Sequence, residues 1–278
     1  MTLPGSAIAP SPIHELAAPP GSLGLTLDHI SHSYGSTFVL DGITLTFEPG
    51  EVTALVGPSG CGKSTLLGIL GGMLKPSSGK VLVRGQPRAD CLNPLTYVFQ
   101  DFALLPWRTV AGNISLVLED AIGDAKAREV RVTEMLHLTG LAEFANAYPK
   151  QLSGGMRQRV GIARALAVNP ACLFMDEPLS ALDAQTRTLL LDEFAQLIAS
   201  SRITTVYVTH NLNEAVRLAH RVVVLSRRPG RVREIVAIDC PIGERREGDP
   251  DLIAVERRLW AMIRDEASAA DRELDHAN

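Results

Sequence analysis

The sequence predicts an α/β fold: a mostly parallel sheet with crossover helices, an antiparallel β subdomain near the front and an inserted helical subdomain. Three observations predict it. Short β-rich runs at Ala171–Met175, Thr205–Thr209 and Arg221–Leu225 alternate with helical stretches, as parallel strands joined by crossovers do. Leu25–His29 and Ile43–Phe47 alternate apolar and polar residues, the pattern of half-buried antiparallel strands. Hydrophobic residues make up 46% of the chain and aromatics only 5%, which suits a parallel core of Val, Ile, Leu and Ala.

Each element follows in order. The 278 residues suit one α/β domain. Residues 1–22 hold five prolines and read as a disordered extension, without the basic start and apolar centre of a signal peptide. Glu51–Val56 is a buried strand that enters a glycine loop, and Lys63–Leu74 is the helix behind it. Lys80–Arg84 is a strand set off by Pro76-Ser77-Ser78-Gly79, and Thr96–Gln100 a strand ending at a lone glutamine. From Val110 to Ala147 the spacing of Val132, Met135, Leu136 and Leu138 is helical. A helix over Val160–Ala167 and a charged one over Asp249–His276 complete the set. This reading divides the chain into the extension, a core over 23–245 with its helical insert at about 101–165, and a C-terminal helical extension over 246–278.

Composition excludes some roles. Twenty-seven basic residues against 31 acidic give a net charge of -4, which argues against a general nucleic-acid binder. No apolar run reaches the length of a membrane-spanning helix, and long candidates such as Leu66–Leu74 contain glycines, so any membrane contact is expected to be indirect. Cys61, Cys91, Cys172 and Cys240 lie far apart with no C-x-x-C pair, as expected in a reducing, cytoplasmic compartment.

The chemistry begins at Gly57-Pro58-Ser59-Gly60-Cys61-Gly62-Lys63-Ser64-Thr65, a G-x-x-x-x-G-K-S phosphate loop followed by threonine. Its glycines let main-chain N–H groups wrap an anion, Lys63 brings a charge to the β- and γ-phosphates, and Ser64 brings a hydroxyl to Mg²⁺. A helix N-terminus behind the loop adds its positive dipole. The core is therefore expected to be a phosphate-loop NTPase. Cys61 reads as a small filler, though a helix N-terminus can lower a thiol pKa. Its alkylation is then expected to block ATP binding, and ATP to protect it.

Cys172–Met175 is an apolar run that ends in Asp176 and Glu177. A carboxylate at such a strand end can hold the Mg²⁺ shell, the role assigned to Asp176, while Glu177 fits the base or positioner of an attacking water. His210 ends the next β-rich run.

Leu152-Ser153-Gly154-Gly155-Met156, between the lone Gln100 and the Asp-Glu pair, decides among phosphate-loop ATPases. With the other motifs in this order, the chain resembles the nucleotide-binding subunit of an ABC transporter over roughly Leu23 to Ile238. The resemblance makes 23–245 an ABC ATPase domain. It implies that Ser153, Gly154 and Gly155 face the γ-phosphate held by a second copy, so that two copies enclose two ATPs. It also implies that Asp183, in Ser180-Ala181-Leu182-Asp183, belongs to the loop crossing that seam, and that Tyr34 stacks on adenine. His210 would contact the γ-phosphate and water, and Gln100 would ligate Mg²⁺ or water while its loop moves with the helical insert. Two positions depart from the common pattern, Met156 where many members have Gln and Asn211 where Asp is usual, and both are expected to matter little.

Leu105-Pro106-Trp107-Arg108-Thr109-Val110, with Asn113-Ile114, resembles the importers of nitrate, sulfonates, taurine and similar ions, as does Ser226 with Arg228-Pro229-Gly230-Arg231. Trp107 either packs inside the insert or borders the groove that receives a helix of the membrane subunit. The implied protein is a peripheral ATPase at the cytoplasmic face of the membrane, using ATP and Mg²⁺. Its partners would be a second copy, permease subunits and, indirectly, a solute-binding protein. A soluble ABC ATPase, or one serving an exporter or lipid-handling system, is the alternative.

Overall fold

The computed structural model describes residues 22–276, so the disorder expected of the N-terminal extension lies, Ser22 aside, outside the described residues. β1 (Gly24–Tyr34) sits between β2 (Thr37–Phe47) and β4 (Ser78–Arg84) in an antiparallel sheet. The second sheet has six strands in the order β5-β6-β7-β3-β8-β9: β3 (Val52–Val56), β5 (Leu95–Val98), β6 (Cys172–Asp176), β7 (Thr204–Val208), β8 (Arg221–Leu225) and β9 (Val232–Ala237). Its pairings are parallel except that of β8 with β9. Both expected sheet types are present. The edge strand β9 escaped sequence reading because Arg233 and Glu234 interrupt its apolar pattern, as charges on edge strands do.

Seven α-helices complete the described chain: α1 (Lys63–Leu70), α2 (Val110–Leu116), α3 (Ala125–Leu138), α4 (Gly154–Ala167), α5 (Ala184–Ser201), α6 (Leu212–Leu218) and α7 (Pro250–His276). α1 stops four residues short of the expected Leu74, because Gly72, at φ 73°, turns left-handed and lets the Met73 N–H close back on the Gly68 carbonyl at 2.9 Å. α4 begins at the two glycines, where the sequence places a helix start, and Ser153 caps it by accepting the Met156 N–H at 3.2 Å. Among the described residues no helix is long and apolar enough to cross a membrane.

The alternation of side chains along the strands makes two cores. Leu55, Phe174, Val206 and Val223 face α1 and the antiparallel sheet. Val56, Met175, Tyr207 and Val224 face the other way, toward α4, α5 and α6. A sheet buried on both faces leaves the C-terminal ends of its parallel strands as the place where loops meet solvent. The ends of β3, β6 and β7 carry the residues singled out above.

Candidate active site

The phosphate loop follows β3 directly. At Gly57 a Cβ would lie 2.8 Å from the Leu225 carbonyl, and Gly62, with φ 103°, would place one 2.6 Å from Leu40 Cδ2. Packing against the strand ends therefore admits only glycine at both positions. Lys63, 8% exposed, folds back so that its ammonium donates to the carbonyls of Gly57 at 2.8 Å and Pro58 at 3.0 Å. A cation held by two main-chain carbonyls and the Cys61 sulfur at 3.9 Å, inside a loop of N–H groups, is matched to an incoming anion. The placement of Cys61 agrees with its reading as a small filler. Its side chain is fully buried among Leu66, Leu67 and Leu225, and that burial pushes its thiol pKa up despite the Lys63 charge. Cys61 fills space, and its burial and raised pKa argue against a reactive thiol.

Across the loop, Asp176 ends β6 with its carboxylate beside the Ser64 side chain. Burial raises the Asp176 pKa, the Ser64 hydroxyl lowers it, and the charge of Glu177 raises it again. A hydroxyl and a carboxylate oxygen, side by side and next to the phosphate loop, form a donor set suited to Mg²⁺, which takes oxygen ligands and keeps several for substrate phosphates and water. Among the described residues no cluster of three or more His, Cys, Asp or Glu could hold a metal on its own, so any such ion here would share its shell with substrate.

Glu177 sits at φ 48°, a left-handed conformation unusual for a residue with a Cβ, and its N–H extends the ladder to the Val208 carbonyl at 2.9 Å. Its Oε2 lies 3.0 Å from His210 Nδ1. An ionised carboxylate only accepts, so Nδ1 donates and Nε2 is left without a partner among the described residues. Asn211 caps α6 through the N–H groups of Asn213 and Glu214 at 3.0 and 3.4 Å. Asp would cap equally well, which explains the departure at this position.

Tyr34 is half exposed, its ring edge-to-face with His32 at 4.7 Å and its hydroxyl 3.5 Å from Thr65 Oγ1. It thus stands beside the phosphate loop. Gln100 lies two residues past the end of β5, exposed, and makes no hydrogen bond to Ser64 or Asp176. Its loop is tied to α4 instead, because Arg164 donates to the carbonyls of Ala103 at 3.0 Å and Phe102. Trp107 is 70% exposed, which rules out packing inside the insert. Asn113, fully buried, holds that loop by bonds to Leu105, Arg108 and Thr109.

Ser153 and Asp183 are exposed N-caps of α4 and α5, the latter accepting the Thr186 N–H at 2.9 Å. That bond lowers the Asp183 pKa. No hydrogen bond of Ser153, Gly154, Gly155 or Asp183 reaches the phosphate loop within the chain. The structure thus groups Lys63, Ser64, Asp176, Glu177, His210 and Tyr34, and sets the Ser153 motif apart.

The family model described as "ABC transporter" matches residues 40–180, half of the chain. The chain belongs to the ABC transporter family. It is similar to a putative ATP-binding protein of Brucella abortus, 40% identical over 91% of this chain and 98% of the relative. The nitrate import ATP-binding protein of Synechococcus elongatus is 40% identical over 79% of this chain and 35% of its own length. A solved dimeric ATP-binding cassette, in a post-hydrolysis state bound to ADP and Pi, matches with a TM-score of 0.66 and 33% identity, over 78% of this chain and 99% of its own. This ABC protein is an ATP-binding subunit that hydrolyses ATP and couples the reaction to transport.

Sequence reading missed two features of this ABC subunit. The buried Glu214 hydrogen-bonds the Tyr207 and Thr209 hydroxyls at 2.9 and 2.8 Å, and Asn113 served only as part of a resembling string.

Proposed function

We propose that this subunit drives import of a small anion of the nitrate, sulfonate or bicarbonate kind, working as a pair of identical copies beneath a permease. The observation that carries the hydrolytic part is the 3.0 Å contact of Glu177 with His210, next to the Asp176–Ser64 pair and across from Lys63. When ATP enters, Lys63 exchanges the Gly57 and Pro58 carbonyls for phosphate oxygens, with the main-chain N–H groups of the Gly57–Thr65 loop, Pro58 excepted, as the cradle. Tyr34 covers the adenine. Ser64, Asp176 and, after its loop moves, Gln100 would hold Mg²⁺, which when bound neutralises charge on the phosphates. Glu177 orients water and takes its proton, and His210 fixes the carboxylate through Nδ1 and turns Nε2 to the γ-phosphate.

The exposure of Ser153, apart from its own chain's phosphate loop, supports a second copy as its target. Helix α4 would then present its capped N-terminus to the γ-phosphate across the seam. ATP favours closure through contacts made only in the closed pair. The Arg164 tether on the Phe102–Ala103 carbonyls supports coupling, because the Gln100 loop and the insert must shift together, and exposed Trp107 gives a permease helix a surface to grip. Nitrate and bicarbonate relatives at 40% identity support import of an anion. The membrane's cytoplasmic face and a solute-binding protein belong to the same reading.

The test is to reconstitute the chain with its permease in vesicles and follow uptake of nitrate, taurine and bicarbonate. ATP-dependent uptake of one of them, with hydrolysis stimulated by the permease, is expected. Hydrolysis indifferent to the permease favours the soluble ATPase instead.

A further inference from the structure

Glu214 is 3% exposed, in the first turn of α6, and the steps assigned above do not use it. Its Oε2 accepts from the Tyr207 hydroxyl at 2.9 Å and from Thr209 Oγ1 at 2.8 Å, while Oε1 faces Arg187 Nε at 3.7 Å. Thr209 Oγ1 in turn accepts the Asn211 N–H at 3.0 Å. His210 therefore stands between two residues that the Glu214 network holds on either side. On the far side, Arg187 donates from Nη2 to the Leu182 carbonyl at 2.8 Å and from Nε to the Leu179 carbonyl at 3.3 Å. Those carbonyls belong to the segment between Glu177 and Asp183. Ser180 Oγ donates to the Glu177 carbonyl at 2.8 Å, which braces the same segment. The contacts close a ring: Glu177 to His210, Thr209 to Glu214, Glu214 to Arg187, and Arg187 back through Leu179 to Glu177.

Burial raises the Glu214 pKa, against the lowering effects of the Thr209 and Tyr207 hydrogen bonds and the Arg187 charge. A carboxylate in an apolar setting is costly, and an apolar residue of that size would pack the helix face equally well. What an apolar residue cannot do is hold two loops in a fixed relation.

We propose that Glu214 is a positioning residue for hydrolysis: through Thr209 and Arg187 it joins the His210 turn to the Leu179–Asp183 loop. A displacement of that loop, where a second copy would meet it, then reaches the Glu177–His210 pair. The proposal rests on the roles given above to Glu177 and His210.

Its test uses the full chain and Mg-ATP, with steady-state hydrolysis, binding of a fluorescent ATP analogue and melting curves for each variant. Glu214→Gln keeps size and shape but loses the charge facing Arg187. A kcat lower by about tenfold, with KM for ATP within about twofold, is expected, because misplacement of catalytic groups costs rate rather than binding. Arg187→Met should show the same split, and the double variant should be no slower than the slower single one. Thr209→Val offers a second route to the same signature should Glu214→Gln fold poorly. Wild-type kcat in well-folded Glu214→Gln would overturn the proposal, as would losses that multiply in the double variant or a melting shift with no change in kcat. Glu177→Gln is run beside them. If it retains turnover, the underlying roles are wrong and the proposal falls with them. If it is inactive while Glu214→Gln is normal, the positioning role alone is refuted.

Discussion

Gly155→Ala probes the packing that sets the Ser153 motif beside the Asp183 loop. A Cβ at Gly155 would lie 2.9 Å from Thr186 Cγ2 and 3.1 Å from Leu190 Cδ1, both on α5. Overpacking of this kind costs about 1–3 kcal/mol. Alanine in place of glycine returns up to about 1 kcal/mol of helix propensity, less in a first turn. The net loss is about 1–2 kcal/mol, a fall in Tm of roughly 3–6 °C for a chain of this size. Gly154 is the internal control, since its Cβ would meet Leu182 Cδ2 at an ordinary 3.4 Å, so Gly154→Ala should not lower the Tm. Thr186→Ser removes the methyl that the added Cβ would strike, so the Gly155→Ala/Thr186→Ser pair should recover about 1 kcal/mol relative to the sum of the singles. Scanning calorimetry measures all four. Additive losses in the double variant, or an unchanged Tm in Gly155→Ala, would refute the packing argument.

Three further outcomes follow from the geometry. Burial raises the Asp176 pKa, so the folded state takes up this proton more readily than the unfolded chain, and the group's contribution to stability falls as pH rises through the window above the usual carboxylate range. Asp176→Asn should therefore melt higher than wild type at pH 7, with the gap closing in acid, while hydrolysis falls by at least about a hundredfold. Tyr34→Ala should raise KM for ATP about tenfold with kcat unchanged; Tyr34→Phe should match wild type, because the Thr65 hydroxyl lies at the 3.5 Å limit of hydrogen bonding. Arg245, 1% exposed, donates to the carbonyls of Val216 and Ala219 at 2.7 Å and of Cys240 at 2.6 and 2.8 Å, so Arg245→Met should cost about 3–5 kcal/mol in urea unfolding.

The parts of this protein that were legible in the sequence share a physical cause. The central strands are buried on both faces, so Cys172–Met175 reads as an uninterrupted apolar run and Val52–Val56 as one broken only by Thr53, and the loops at their ends must carry the polar chemistry. Local patterns fail where tertiary contacts decide. β9 depends on pairing with β8 rather than on its own composition. Cys61 reads as a small filler despite its place near a helix N-terminus, and the hydrophobic cluster beneath the loop agrees. The Glu214 network joins residues from three elements, and no short motif spans it.

The most direct test of the account is the rate of Mg-ATP hydrolysis by Glu177→Gln. The variant keeps the side chain's shape and its contact with His210 but cannot take a proton from water. A fall of at least about a hundredfold, with ATP still bound and the copies held together as a dimer, is the predicted result. Turnover near that of wild type would contradict the assignment of Glu177 and the mechanism built on it.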